Sequence, residues 1–187
     1  MEKDVNVFKP RIAIIDTETT GLTLPSSAEL SKQPRIIELG IVVVEGGKSI
    51  GEYNWLINPG NLPLSSEITK ITGIKTEDLE DKLTFAQQLH YIKLAFEGCT
   101  HLVAHNAPFD TALLRFDLLR CECDDFPWPA IQICTVQEYR HAFGHRPKLV
   151  DLYQQKLGKP LAQTHRAIDD AKALFEILAA DNFFQYL

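Results

Sequence analysis

Two carboxylates stand where an apolar run stops. In the stretch RIAIIDTETTGL, Ile12 to Ile15 are apolar, and Asp16 and Glu18 follow among Thr17, Thr19 and Thr20. On an extended chain, side chains two positions apart share a face, with Cα atoms about 6.6 Å apart. Asp16 and Glu18 then point one way and Thr17 the other. Each charge raises the pKa of its neighbour unless a cation sits between them. A divalent ion removes the repulsion, and oxygen-only donors select Mg²⁺ or Mn²⁺ over zinc. Alone, such a pair also reads as an exposed acidic turn.

Further groups of the same chemistry lie downstream. In HLVAHNAPFD, a short apolar run meets Asn106 and Pro108, which announce a helix with Asp110 in its first turn. In HRAIDDA, His165 and Asp170 fall at the start of the last helix. Each has an ordinary reading. An aspartate in a first turn complements the helix dipole, worth about 0.3–1 kcal/mol. Asn106 reads mainly as an N-cap, and His105 as structural. On the last helix, Asp170 aligns with Ala167, Leu174 and Ile177 on an inward face. Asp169 aligns with Lys172 and Glu176, a solvent face. A carboxylate turned toward a core needs a compensating partner, and a metal ion is one. Cysteine supplies no rival site. Of Cys99, Cys121, Cys123 and Cys134, only the middle two are close, and no spaced histidines complete a zinc pattern.

These side chains need a scaffold. Arg11 to Ile15 reads as a buried strand, Thr23 to Pro34 as a polar loop, Ile36 to Glu45 as a second strand. Gly46-Gly47 is a hairpin signal, and Lys48 to Ile57 returns as a third strand. Short strands follow at His101–Ala104 and at 131–135. Helical spacing marks 65–72, 84–97, the segment after Asn106, 136–143, 149–157 and 166–180. This is an α/β chain with an antiparallel half and a parallel half.

Three motifs occur in order: DTETTG at 16–21, HNAPFD at 105–110 and HRAIDD at 165–170. Together they resemble the DEDDh exonucleases, the proofreading type with a ribonuclease H-like fold. The resemblance spans nearly the whole chain, helped by IIELGIVVV, INPGNLPLS and TGI. It implies a mixed five-stranded sheet, three antiparallel strands then two parallel, flanked by helices. It implies a catalytic set of Asp16, Glu18, Asp110, His165 and Asp170, the four carboxylates holding two Mg²⁺ ions, with Mn²⁺ able to substitute. Asp16 would bridge the ions, Glu18 and Asp170 would complete one site, and Asp110 would serve the other. His165 would be the general base; an intrinsic pKa near 6.5 suits a histidine to that task. The expected reaction is 3′→5′ hydrolysis to nucleoside 5′-monophosphates. Thr19, Thr20 and Gly21 would approach the 3′ nucleotide, with Leu22 packing on its base. Asn106, Arg146 and Lys148 are further candidate substrate contacts. Glu38 is open between a strand-start charge and a contact to the terminal nucleotide.

The TGI at Thr72 to Ile74 stands where the epsilon branch of the family has H-G-I, and is closer to PolC proofreading domains. A long polymerase-docking tail is not expected. The aromatic end, NFFQYL, is expected to close the core. A single domain over residues 1–187, acting on DNA 3′ ends alone or beside a polymerase, is the leading expectation. An RNA 3′ trimmer is the alternative. An inert binding module is disfavoured by the intact set, and a D-x-D phosphatase by Glu18.

Composition agrees with a globular chain: 45% apolar, 24% charged. No apolar stretch approaches the roughly 20 residues that span a bilayer, and the start lacks a signal-peptide core. A cytoplasmic protein without membrane contact is expected. Net charge is −6, unlike a typical nucleic-acid binder, yet Tyr139 to Ile168 carries +5. Such a stretch is either a footprint for a polyanion or a solvated surface.

Overall fold

The structure, a computed structural model, describes residues 9–60 and 62–187. Within them lies a five-stranded sheet ordered β3-β2-β1-β4-β5. The strands are β1 (Arg11–Thr19), β2 (Ile36–Glu45), β3 (Lys48–Leu56), β4 (His101–Ala104) and β5 (Ile131–Cys134). β1, β2 and β3 pair antiparallel, while β4 runs parallel to β1 and β5 parallel to β4. The helices are α1 (Ser66–Thr72), α2 (Phe85–Phe96), α3 (Ala107–Arg120), α4 (Thr135–Phe143), α5 (Leu149–Leu157) and α6 (Ala167–Ala180). The expected mixed sheet is the one observed.

The period-two rule sets which face each residue serves. Ile12 and Ile14 of β1 join Val42 and Val44 of β2 under Leu152, Leu174 and Ile177 of α5 and α6. Ala13 and Ile15 face the other way, toward Ile92, Phe96, Leu113 and Leu114 of α2 and α3. Full burial of one such isoleucine contributes about 1.5–3 kcal/mol. Gly46 and Gly47, at φ 57° and 75°, make the β2–β3 turn, a left-handed pair that glycine adopts without a steric penalty.

One strand boundary differs from expectation. β1 does not stop at Ile15; it continues to Thr19, so Asp16 and Glu18 belong to the strand. The ladder with β2 holds it there, pairing Asp16 with Gly40 and Glu18 with Glu38 before a register shift after Glu18. The aromatic end behaves partly as expected. Phe183 and Phe184 pack on the α6 side of the core, while Tyr186 is 84% exposed.

Candidate active site

Three elements, β1, α3 and α6 with the residues just before it, bring the motif residues to one end of the sheet. Asp16 and Glu18 continue the Ile12–Ile14 face of β1, toward α6. Thr17 faces α3, and its hydroxyl donates to Asp110 Oδ1 at 2.7 Å. The opposite-facing residue of D-x-E therefore ties Asp110, which is buried, to the strand that carries the other two carboxylates. From α6 come Asp170, 6% exposed, and, two residues before the helix, His165. Ligand atoms of Glu18, His165 and Asp170 all lie within 4.8 Å of one another.

The electrostatics are those of crowded carboxylates. Burial, then the charges of Asp110, Asp170, Glu18 and Glu38, hold Asp16 well above the usual carboxylate range. Glu18 is pushed up to about 8, chiefly by burial and then by Asp170 and Glu38, with Arg166 opposing. Burial also raises Asp110, against the hydrogen bond from Thr17. It raises Asp170 too, against the hydrogen bond from Gln163 and the charge of His165.

The donor set fits a divalent cation. Asp170 Oδ2 accepts from Gln163 Nε2 at 2.9 Å, while its Oδ1 is buried with no hydrogen-bond partner among the described residues. A buried carboxylate oxygen left unpaired is costly. Asp16, Glu18, Asp110 and Asp170 are the side chains that would hold the ion or ions.

His165 is exposed to water and sits at φ 49°, outside the backbone region that L-residues favour. Conformations of this kind cost about 1–3 kcal/mol and persist where the surroundings over-determine them. The residues around it supply that constraint. Thr164 Oγ1 donates to Asp169 Oδ2 at 2.7 Å. Arg166 Nε lies 3.0 Å from Glu38 Oε2 and 3.1 Å from Oε1, and Arg166 Nη2 also donates to Oε1. Asp169 is exposed as expected, though its partner is Thr164; Lys172 instead pairs with Glu52 at 2.8 Å.

The expected substrate contacts divide into a loop and a ridge. Thr19 Oγ1 donates to Gly21 O at 2.7 Å, and Thr20 exchanges bonds with Arg35, its N donating to Arg35 O and its Oγ1 accepting from Arg35 N, both at 3.0 Å. The loop beyond is braced by Gln33, whose amide bonds Leu24 and Pro25, and by Arg120, which donates to the carbonyls of Leu30, Gln33 and Pro34. This rigid frame presents Leu22 at 82% exposure. A Cβ on Gly21 would meet nothing within 4 Å, so the space beside it is open.

On the ridge, two expectations need correction. Asn106 occupies the N-cap position of α3, but at φ 80° its side chain caps nothing. Its Oδ1 instead accepts from Arg146 Nη2 at 2.8 Å. His105 is structural, as expected: Nε2 donates to Pro147 O at 3.1 Å and Nδ1 lies 3.0 Å from Thr135 Oγ1. These bonds fasten the Arg146–Lys148 loop to the end of β4. The second correction concerns charge. The basic run is not one patch: Lys156 pairs with Asp181, Lys159 with Glu176 and Arg166 with Glu38. Arg140, Arg146 and Lys148 make no ion pair with an acid among the described residues.

Glu38 is neither a strand-start surface charge nor open to a nucleotide. It is fully buried, and it accepts from Asn54 Nδ2 at 2.9 Å and from the backbone N–H of Ala167 at 3.1 Å as well as from Arg166. Nothing local in IIELG signals this, because every partner except Asn54 is over a hundred residues away.

Comparison with known proteins finds similarity to exonucleases. The RNase_T exonuclease family model matches residues 13–178. A Mycobacterium tuberculosis (strain CDC 1551 / Oshkosh) protein, whose bifunctional name pairs an exonuclease with an endonuclease, is 32% identical over 95% of the chain and 27% of its own length. The PolC-type DNA polymerase III of Thermotoga maritima is 34% identical over 88% of the chain and 11% of its own length. The DNA polymerase III epsilon subunit of Treponema pallidum is 29% identical over 87% of the chain and 72% of its own length. The chain thus spans about a quarter or less of its more identical relatives. The nuclease domain of 3′hExo, a DEDDh family member bound to rAMP, has the same fold, with TM-score 0.71 at 22% identity over 92% of both chains. The matched family model and the order of the three motifs agree: the chain belongs to the RNase_T exonuclease family, and its resemblance to the DEDDh type is borne out.

Proposed function

We propose that the chain is a metal-dependent 3′→5′ exonuclease that releases nucleoside 5′-monophosphates from single-stranded or frayed DNA ends. The observation that carries the reading is the meeting of β1, α3 and α6 at one sheet end. There Glu18, His165 and Asp170 converge, Thr17 links Asp110 to β1, and Asp170 keeps one buried oxygen unpaired.

Bound Mg²⁺ would supply charge neutralisation and activation of the attacking and leaving oxygens of a phosphodiester. The chain's own groups do the rest. Asp16, Glu18, Asp110 and Asp170 would hold the cation. His165, exposed to water, takes the proton of the attacking water on an imidazole nitrogen. The braced Thr19–Gly21 loop and Leu22 take the terminal nucleotide, whose base packs on the exposed leucine. Arg146 and Lys148 attract the phosphates behind it.

Two lines support DNA: the PolC-type relative at 34% identity and the epsilon relative at 29% are named as DNA polymerase III proteins, and the TGI at 72–74 resembles that of PolC proofreading domains. A proofreading role beside a polymerase is part of the same reading. The alternative is RNA trimming, favoured by a fold neighbour solved as a 3′-exonuclease recognising a histone mRNA stem-loop, with TM-score 0.72 at 20% identity. Side-by-side digestion of labelled single-stranded DNA, RNA and mismatched duplex tests the choice. Faster release of 5′-monophosphates from DNA, abolished by chelator and restored by Mg²⁺, is expected. Equal activity in excess chelator overturns the metal-dependent reading, and a faster RNA reaction overturns the DNA assignment.

A further inference from the structure

We infer that Glu38 is a positioning residue for the candidate site: it fixes the start of α6, and through it His165 and Asp170, against β1. The inference rests on the site reading above. Glu38 is enclosed, and its carboxylate bonds Asn54, Arg166 and Ala167 and none of the candidate metal ligands, so its role acts through those partners.

Three observations carry it. First, Glu38 is completely enclosed, and its two oxygens take a forked bond from Arg166, one from Asn54 and one from the Ala167 N–H. Arg166 and Ala167 are the two residues that follow His165. A fork from a planar guanidinium fixes direction as well as distance. Second, α6 rests on bare backbone. A Cβ on Gly40 would lie 2.4 Å from Ala167 C and 2.4 Å from Ile168 N, so β2 admits the first turn of the helix only because residue 40 is glycine. Gly40 is paired with Asp16, and Glu38 with Glu18. The two residues of β2 that seat α6 are therefore the ladder partners of the two carboxylates that α6 must meet. Third, His165 lies in a left-handed conformation immediately before this anchor. Such a backbone survives where its neighbours leave no alternative.

Burial makes these partners necessary. A lone carboxylate at 0% exposure is strongly disfavoured, so Arg166 cannot leave without the clamp failing. The start of α6 adds the Ala167 N–H to that set. The device couples ion pairing to geometry: α6 seats in one register, and Asp170, one turn in, follows it.

The test compares Glu38→Gln, Arg166→Lys, His165→Ala and the double variant Glu38→Gln/His165→Ala. Readouts are kcat and KM on labelled single-stranded DNA, Mn²⁺ affinity measured by electron paramagnetic resonance without nucleic acid, and thermal melting. Supporting partners of metal ligands typically contribute about 10–100-fold in affinity or activity. A kcat loss of that size is expected for Glu38→Gln, with weaker Mn²⁺ binding and KM changed by less than about twofold. In the His165→Ala background the same substitution should cost kcat much less, because part of what it positions is gone. Arg166→Lys keeps the charge but not the fork; it should fold and lose kcat in the same direction, and it decides the matter if Glu38→Gln does not fold. A raised KM at unchanged kcat would make Glu38 a nucleotide contact and overturn the inference. Wild-type kcat in folded Arg166→Lys would overturn it too. Full turnover of His165→Ala would overturn the site reading itself, and this inference with it.

Discussion

Glu18 and Glu38 face each other across the β1–β2 ladder, yet their charges have opposite fates. Directly opposed like charges destabilise a strand pair. Here Glu38 is consumed by Arg166 and the start of α6. Glu18 is left beside Asp170 and His165, with its pKa raised to about 8. One carboxylate builds the scaffold, and the other is free for a cation.

Asp170 and Asp169 should separate cleanly. Asp170→Asn places an amide where a buried, unpartnered oxygen now sits, so most activity should be lost and metal binding weakened. Asp169→Asn keeps an acceptor for Thr164 at an exposed position and should change activity by little. Both variants are compared at saturating Mg²⁺. An inactive Asp169→Asn beside a normal Asp170→Asn would refute the assignment.

His165→Ala should leave Mn²⁺ affinity largely intact and lower turnover by about 10²–10⁴-fold, the usual range for a general base. The low-pH limb of the kcat profile should flatten in the variant. An unchanged limb would exclude His165 as the base.

Metal-free protein should lose stability as pH rises. Glu18 titrates near 8 in the fold, against about 4.3 for an ordinary glutamate. Between those values the folded chain binds more protons than the unfolded one, so stability falls across that window. Asp16 shifts in the same direction. Melting temperature in chelator should therefore decline from pH 5 to pH 8. Mg²⁺ should raise it most at pH 8, since ligand binding stabilises the state that binds. A flat or rising profile in chelator would contradict the carboxylate crowding.

Neutralising Arg146 and Lys148 together, as Arg146→Gln with Lys148→Gln, should weaken DNA binding and reduce the salt slope. Every phosphate that no longer meets a cation takes close to one unit off the slope of log K against log salt for duplex, and about 0.7 for a single strand. Neutralising Lys156 and Lys159 should leave the slope unchanged, because Asp181 and Glu176 already pair with them. Equal effects from the two pairs would restore the single-patch reading.

The sequence by itself determined the chemistry and most of the elements. Period-two alternation set Asp16 and Glu18 on one face with Thr17 on the other, and the helical repeat turned Asp170 inward and Asp169 outward. Three motifs in order sufficed for the family, because each residue type is dictated by local geometry or by the ion it would hold. Tertiary structure decided what depends on partners far along the chain. Hydrogen bonding to β2 carried β1 on to Thr19. Arg146 drew the side chain of Asn106 away from capping. Half of a basic run vanished into pairs with Glu38, Glu176 and Asp181. Glu38 is the extreme case: its environment is made by a helix start 129 positions away. No local pattern reports which charge will be enclosed, since burial and ion pairing are properties of the packed chain.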